Sequence, residues 1–424
     1  MSLTKKPVTG MKDILPEEMR IRDYCISVIE KTYESFGFSH IETPAVEHIE
    51  NLCSNQGGEN EKLIFKIMKR GEKLNLSEAQ SEADLTDSGL RYDLTLPLSR
   101  FYSNNQATLP APFKALQMGS VWRADRPQKG RFRQFMQCDI DILGEESNLA
   151  EIELVLATTT LLSKLGFSNF KVKINERIIL KAMAAYAGFD EDKIDLVFVI
   201  LDKMDKIGFD GVKEDLIANG FEASTVEKYM ALFDEMGKNG EASVSNIDFL
   251  KDKLGSLLDE SVTENLKEIF ASVNAAKTAD FTLAFDPTLV RGMGYYTGTI
   301  FEIEMSELNC AVAGGGRYDK MIGKFTGNDT PACGFSIGFE RIITIMLDKG
   351  FKIPGESEKT AFLVEKTISG ERMGEIIKEA AALRNEGKIV LIAKMNKNKK
   401  FQRETLEKQG YTEFKSFYAE ELKH

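Results

Sequence analysis

Between residues 17 and 36 the apolar side chains Met19, Ile21, Tyr24, Ile26, Ile29 and Tyr33 recur at the spacing of one helix face, and Gly37 supplies a stop. The following FSHIETPAVE predicts a strand broken by Pro44, and LIFKIMKRGEKLNL predicts a hairpin turning at Arg70 and Gly71. From Leu90 to Gly144 short strand-like runs alternate with helix and turn, and residues 149–165 carry a strong helical period. Between 171 and 279 the chain becomes rich in Lys, Glu, Asp, Leu and Ala with repeated helical spacing, which predicts a mostly helical insertion. Glycine-rich strand patterns resume in TLAFDPTLVRGMGYYTGTIFEIE, CAVAGGGRYDKM and PACGFSIGFERIITIML, so a core is interrupted and then continued. After KIPGESEK, which reads as a linker, AFLVEK, a helix through Arg384, KIVLIAK, a second helix and TEFKSFY predict a small α/β domain with a partly parallel sheet. The expected organisation is a core in two parts, 1–170 and 280–354, the insertion at 171–279, and a terminal domain at 358–424.

With 424 residues and 42% hydrophobic content the chain can bury more than one core. It has no apolar run of membrane-spanning length, and MSLTKKPVTGMKDILP lacks the apolar stretch of a secretory signal, so a soluble, cytoplasmic protein is expected. Cys25, Cys53, Cys138, Cys310 and Cys333 lie far apart with no CxxC pair, which predicts neither a disulfide framework nor a structural zinc site. The three histidines, His40, His48 and His424, stand outside every segment that looks like an active site. That argues against Ser-His-Asp hydrolysis and multi-histidine metal chemistry, and leaves carboxylates, arginines, tyrosines and backbone groups to do the work. A net charge of -11 argues against sequence-independent binding to nucleic acid. One local exception is KMNKNKKFQR, where Lys394, Lys397, Lys399, Lys400 and Arg403 form either a basic contact surface or a plain solvated helix face.

The special residues concentrate in four segments. In VWRADRPQKGRFRQFMQCDIDILG, two strand-like ends flank a turn at RPQKG that carries Arg123, Arg126, Lys129, Arg131 and Arg133. Such a loop can grip a triphosphate through paired guanidinium hydrogen bonds, or can be a solvated basic hairpin. In its second strand Phe135, Gln137, Asp139 and Asp141 should share a face, an aromatic, an amide and two carboxylates suited to a purine and an ammonium group. In LVRGMGYYTGTIFEI, Arg291 precedes two glycines that permit close backbone approach, and Tyr295 and Tyr296 offer hydroxyls to a polar ring or simply pack. Finally, AGGGRYDKM and GFSIGFERI place three glycines before Arg317 and put Arg341 early in a helix, which read also as a tight turn and a surface ion-pair partner. No GxxxxGK[ST] loop and no GxGxxG after a strand is present, so an ATP site here must rely on arginines.

Taken together and in order, these segments resemble the signature motifs of class II aminoacyl-tRNA synthetases, and within them the histidyl-tRNA synthetases, over most of residues 7 to 346. FGFSHIETPAVE resembles motif 1, the dimer-interface segment; FKALQMGSVWRADRPQKGRFRQFMQCDID resembles motif 2; GFSIGFERI resembles motif 3. LRYDLTLP, LVRGMGYY and AGGGRYD resemble the segments that mark the histidine-specific member. The resemblance implies an α+β fold: an antiparallel-sheet catalytic core flanked by helices, a helical insertion that clamps the tRNA acceptor arm, and a small C-terminal α/β anticodon-binding domain. It implies formation of histidyl-adenylate from histidine and ATP with Mg²⁺, transfer of histidine to the 3′ end of tRNA(His), and a homodimer. By the same resemblance Arg123 holds the α-phosphate, Phe135 stacks on adenine, Arg341 covers its other side and reaches the γ-phosphate, and Asp125, Arg131 and Gly315 lie on the nucleotide side. Asp93 and Thr95 receive the α-ammonium group, Gln137 lies near the substrate backbone, and Asp141 and Tyr296 read the imidazole nitrogens, with Tyr295 and Tyr318 beside them. Arg291 lies between the carboxylate and the α-phosphate. No dedicated metal cage is implied.

The chain departs from the family pattern in three ways. Gly294 stands where many members have an acidic residue, Asp141 where many have glutamate, and the terminal domain is short. A reduced tail on the same core is also found in the regulatory subunit that partners ATP phosphoribosyltransferase in histidine biosynthesis. The joint presence of Arg123, Arg291, Arg341, Asp141 and Tyr296 favours an enzyme over that binding-only relative.

Overall fold

A computed structural model describes residues 3–56, 60–128, 131–238, 244–291, 295–306, 310–355 and 358–419. The chain packs as two units, one of residues 1–12 and 27–345, the other of 13–26 and 346–424.

The first helix, α1, Pro16–Ser35, opens on a proline with Glu17 and Glu18 in its first turn, and the chain leaves it through Gly37 at φ 82°. Proline costs nothing at that position, and the acidic side chains complement the positive end of the helix. The break at Pro44 separates β1, Ser39–Ile41, from β2, Val46–His48, which leads into α2, Ile49–Gln56. The hairpin expected around Arg70 and Gly71 does not form. β3, Lys66–Met68, pairs instead with β4, Thr86–Leu90, which follows the short α3, Glu82–Leu85. The residues after Gly71 leave Leu76 67% exposed, so nothing is present for a second strand there to pack against.

α4, Thr95–Asn105, leads to the two long strands β5, Phe113–Trp122, and β6, Gln134–Leu143, and then to α5, Leu149–Lys164. β7, Phe170–Glu176, belongs to the main sheet, so the boundary expected at 171 falls inside a core strand and the helical segment begins at Arg177. That segment contains α6, Arg177–Ala187, α7, Ile194–Leu201, α8, Met204–Ala218, α9, Ala223–Lys238, α10, Ser245–Leu254, and α11, Glu260–Ala276. The core resumes with β8, Phe281–Phe285, β9, Thr299–Met305, β10, Cys310–Arg317, α12, Lys320–Thr326, β11, Ala332–Ile337, and α13, Phe339–Asp348.

The resulting eight-stranded sheet has the order β1-β5-β6-β11-β10-β9-β7-β8. Its edge pairs β1/β5 and β7/β8 are parallel, and every pair between them is antiparallel. Residues opposite one another in a ladder point to the same face, so the register sorts side chains across the sheet. One rung reads Ile140, Phe335, Gly315, Phe301, Ile174; the next reads Cys138, Ile337, Ala313, Ile303, Val172, all of them apolar or glycine. Phe301 and Phe335 stack across Gly315 with ring centroids 5.0 Å apart and an interplanar angle of 2°. On the opposite face a rung runs Gln117, Asp139, Ser336, Gly314, Glu302, Lys173, and its neighbour runs Ala115, Asp141, Gly334, Gly316, Ile300. One face is thus hydrophobic core, and the other is polar and floored with glycine.

In the other unit, β12, Lys359–Val364, lies between β13, Ile389–Lys394, and β14, Tyr411–Phe417, and both pairings are parallel. α14, Gly370–Asn385, and α15, Lys399–Lys408, are capped by Ser369 and Asn398, whose side chains accept from the backbone N–H of Arg372 and Phe401. Phe362, Val364, Ile376, Ala380, Val390 and Phe417 form one small core, and Ala361, Leu363, Met395 and Leu406 form another. The expected β-α-β-α-β order holds.

Candidate active site

The polar face of the large sheet carries the candidate chemistry. Arg123 follows β5 directly; its Nε donates to the Tyr92 carbonyl at 3.1 Å and its Nη2 to Gln137 Oε1 at 3.3 Å. The guanidinium lies 4.3 Å from the Tyr92 ring centroid and 5.1 Å from that of Phe135, so the cation has two aromatic neighbours. Within the arginine-rich loop Arg131 pairs with Asp125 at 3.3 Å, and Arg133 Nε donates to the Asp125 carbonyl at 3.0 Å. Lys129 and Gly130 lie outside the described residues.

Further along β6 the structure brings the polar groups together. Gln137 Nε2 donates to Asp139 Oδ2 at 3.2 Å and to Ser336 Oγ at 3.2 Å, and the Ser336 hydroxyl donates to Asp139 Oδ1 at 2.5 Å. Burial pushes the Asp139 carboxyl up to about 7; the Asp93 carboxylate adds to the rise, while the Ser336 and Gln137 hydrogen bonds and the Arg123 charge oppose it. Asp93 Oδ1 accepts from the Leu96 backbone at 3.2 Å in the first turn of α4, which begins at Thr95. Sequence reasoning gave Asp139 only a shared role, as one of two carboxylates on this face suited to an ammonium group.

Asp141 is buried, and the Tyr318 hydroxyl donates to its Oδ1 at 2.5 Å. Its Oδ2 is also buried and has no hydrogen-bond partner among the described residues. Burial raises the carboxyl well above its ordinary range, and the Asp139 charge pushes the same way. Desolvating a carboxylate oxygen without a donor costs several kcal/mol, roughly, unless something supplies the donor or the proton. Gly334 makes room for this group, since a Cβ there would come within 2.0 Å of Asp141 Oδ1. Tyr295 and Tyr296 join the cluster with hydroxyls 3.4 Å apart and ring centroids 4.5 Å apart, and the Tyr295 ring meets that of Tyr318 edge-on at 6.4 Å. The tyrosine bonded to Asp141 is Tyr318.

Arg291 lies across the glycine floor. Its Nε donates to Glu302 Oε2 at 2.7 Å, and a Cβ on Gly314 would come within 2.1 Å of its Cζ. The glycines expected to let backbone approach, Gly292 and Gly294, lie outside the described residues. Arg341 is the third residue of α13 and donates from Nη1 to the Ala311 carbonyl, while its neighbour Glu340 accepts from the Met136 backbone at 3.1 Å. Gly315 points to the apolar face, between Phe301 and Phe335, away from the carboxylates. The run AGGGR is strand rather than turn, and Arg317 is no surface partner: its Nε and Nη2 each lie 2.7 Å from the Glu151 carboxylate, which is 1% exposed. Glu302, Gly334 and Ser336 were missed, and Gly314 was noted only within the AGGG run, because their importance comes from cross-strand register; for Glu302 an alternating polar pattern in FEIEM was the local signal.

A family model described as histidyl-tRNA synthetase matches residues 10–342. The chain is 43% identical over 345 residues to the histidine–tRNA ligase of Leifsonia xyli subsp. xyli, an alignment covering 80% of each. The crystal structure of histidyl-tRNA synthetase from Nostoc sp. PCC 7120 matches with a TM-score of 0.77 and 26% identity, covering 96% of this chain and 90% of that one. A structure described as an ATP phosphoribosyltransferase regulatory subunit/histidyl-tRNA synthetase from Bacillus halodurans matches with a TM-score of 0.76 at 20% identity, covering 99% of this chain and all of that one, a likeness of fold alone. The family match over most of the chain, and a relative more than two-fifths identical over four-fifths of it, place the protein: it belongs to the histidyl-tRNA synthetase family.

Proposed function

We propose that this chain is a histidine–tRNA ligase that activates histidine with ATP and transfers it to the 3′ end of tRNA(His). The observation that carries the reading is the buried, unpartnered Oδ2 of Asp141 beside the tyrosine cluster. An imidazole N–H supplies the missing donor, and a tyrosine hydroxyl serves the other ring nitrogen, an arrangement that an apolar amino acid cannot satisfy. Asp93, Thr95 and Asp139 take the α-ammonium group. Arg123 and Phe135 receive the α-phosphate and adenine, the ring stacking on Phe135 beside the guanidinium, with Asp125 and Arg131 at the edge and Arg341 swinging from the Ala311 carbonyl to the polyphosphate.

The histidine carboxylate then attacks the α-phosphorus, pyrophosphate leaves, and histidyl-adenylate forms; in the second step the tRNA terminal hydroxyl attacks the carbonyl carbon and AMP leaves. Charge builds on the phosphorus oxygens, where Arg123 and Arg291 stabilise it, so positioning and electrostatics carry the rate. Among the described residues no three His, Cys, Asp or Glu side chains are grouped to hold a metal. In this reading Mg²⁺ accompanies ATP on its phosphates. The helical segment from α6 to α11 takes the acceptor arm, and α15, with Lys399, Lys400, Arg403 and the 63% exposed Phe401, offers the anticodon a basic and aromatic surface. The same reading takes the protein as a homodimer in the cytoplasm; no helix among the described residues is long and apolar enough to cross a membrane.

The test is histidine-dependent exchange of labelled pyrophosphate into ATP with Mg²⁺, together with charging of tRNA(His). No exchange, combined with binding to a phosphoribosyltransferase subunit, would sink the proposal. A pH dependence follows from Asp139. Its carboxyl titrates near 7 in the empty site, and only the ionised form attracts an ammonium group, so histidine affinity should strengthen as pH rises through that value. Calorimetric titration between roughly pH 6 and 8 measures the slope. Asp139→Asn should flatten it, leaving the contributions of the ligand's own imidazole and of Asp141; an unchanged slope would remove Asp139 from ammonium binding.

A further inference from the structure

We infer that Glu302 is a positioning residue for the activation step, acting through Arg291; the inference rests on the ligase reading given above. The polar rung of the sheet runs Asp139, Ser336, Gly314, Glu302, Lys173, one residue from each of five neighbouring strands. Arg291 enters this rung from outside it. Its guanidinium lies over Gly314, where a Cβ would stand 2.1 Å from Cζ, 2.4 Å from Nε and 2.5 Å from Nη1. The slot left by the missing side chain therefore seats the cation against the backbone of β10.

A guanidinium seated on one plane is still able to rotate within it. The bond from Nε to Glu302 Oε2, at 2.7 Å, removes that freedom. Nε carries a single hydrogen, so once it is committed to Glu302 the two terminal nitrogens keep their hydrogens for a ligand, presented as a fixed fork. Glu302 is 17% exposed at its side chain and Arg291 30%, so the pair is shielded on the protein side and open on the other.

Lys173, opposite Glu302 on β7, is the cation that would compete for the same carboxylate. It is held elsewhere, 3.2 Å from Asp286 and 2.9 Å from Glu304. Those two carboxylates leave Glu302 to Arg291. The rung thus divides into two ion-pair systems, one that ties β7 to β9 and to the residue after β8, and one that aims Arg291.

The experiment combines steady-state pyrophosphate exchange with thermal unfolding on the full chain. Glu302→Ala should lower kcat by about a hundredfold, the cost of misplacing a group that acts on the transition state, with KM for histidine and ATP within about threefold of the unaltered enzyme. Glu302→Gln, whose amide oxygen still accepts from Nε, should recover most of that loss. Gly314→Ala should reproduce the kcat defect with Glu302 intact, because the new methyl group occupies the slot. Adding Glu302→Ala to Arg291→Ala should cost no more than about twofold further, since the carboxylate then has nothing to aim. Glu302→Ala with kcat unchanged, Glu302→Gln as poor as Glu302→Ala, or full additivity with Arg291→Ala would each overturn the inference. If Glu302→Ala does not fold, Glu302→Gln and Gly314→Ala decide it. An unaltered enzyme that shows no exchange at all is the distinct failure of the ligase reading, and takes this inference with it.

Discussion

Arg291→Ala is expected to slow pyrophosphate exchange by about a thousandfold while histidine affinity, measured by calorimetry without ATP, changes less than about fivefold. The difference reflects when the charge appears. In the ground state the substrate carboxylate is satisfied by solvent and by its own neighbouring ammonium group, so one cation more adds little. As the carboxylate oxygen bonds to phosphorus, negative charge spreads over the α-phosphoryl oxygens, and a cation held against a sheet backbone does not have to reorganise to meet it. Arg291 is held in that way, by Gly314 beneath and Glu302 at its Nε. Equal losses in exchange and in histidine binding would mean that Arg291 is a ground-state anchor for the carboxylate and plays no separate part in the chemical step.

Asp141→Asn is expected to move in the opposite sense, weakening histidine by about a hundredfold through loss of a charge-assisted hydrogen bond in a buried site. The protein itself should be no less stable. Burial and the Asp139 charge raise the Asp141 carboxyl well above its ordinary range, which means that the folded state disfavours its ionised form. A neutral amide of the same shape carries none of that penalty and can still accept from the Tyr318 hydroxyl at the Oδ1 position. Calorimetric histidine affinity and thermal unfolding on one preparation check both halves. Full affinity in Asp141→Asn would show that the carboxylate does not read the imidazole, and a large drop in thermal stability would show that it is a structural group.

Much of the frame was readable from spacing. The helix at the start, the strands around Pro44, the long helix after Gly144 and the terminal β-α-β-α-β order all follow from apolar period and punctuation, which are local properties. The assignment of Phe135, Gln137, Asp139 and Asp141 to one face needed only the two-residue period of a strand. What spacing did not reveal depends on which strand lies beside which. Gly334 looks like any strand glycine until Asp141 is opposite it, and Glu302 looks like a solvated glutamate until Gly314 leaves room for Arg291 to reach it. The hairpin expected after β3 failed for the same reason, since β4 was the better partner and lay beyond a short helix. Tyr318 was brought to the site by resemblance alone, and its hydrogen bond to Asp141 gives that placement a physical basis.

β7 and β8 are adjacent and parallel, with the whole helical segment between them. Parallel neighbours require the chain to return from the far end of one strand to the near end of the next, a crossover that a single helix normally makes. Here α11, Glu260–Ala276, completes the return: it packs on α5, and its Glu268 accepts from the Asn148 side chain at 2.9 Å before the chain enters β8. The helices from α6 to α10 are an enlargement of that return path, and the acceptor-arm role proposed above sits on this enlargement while both ends still meet the sheet. Shortening this segment before α11 would therefore spare the return to β8, whereas a truncation that removed α11 as well would take away the helix that completes it.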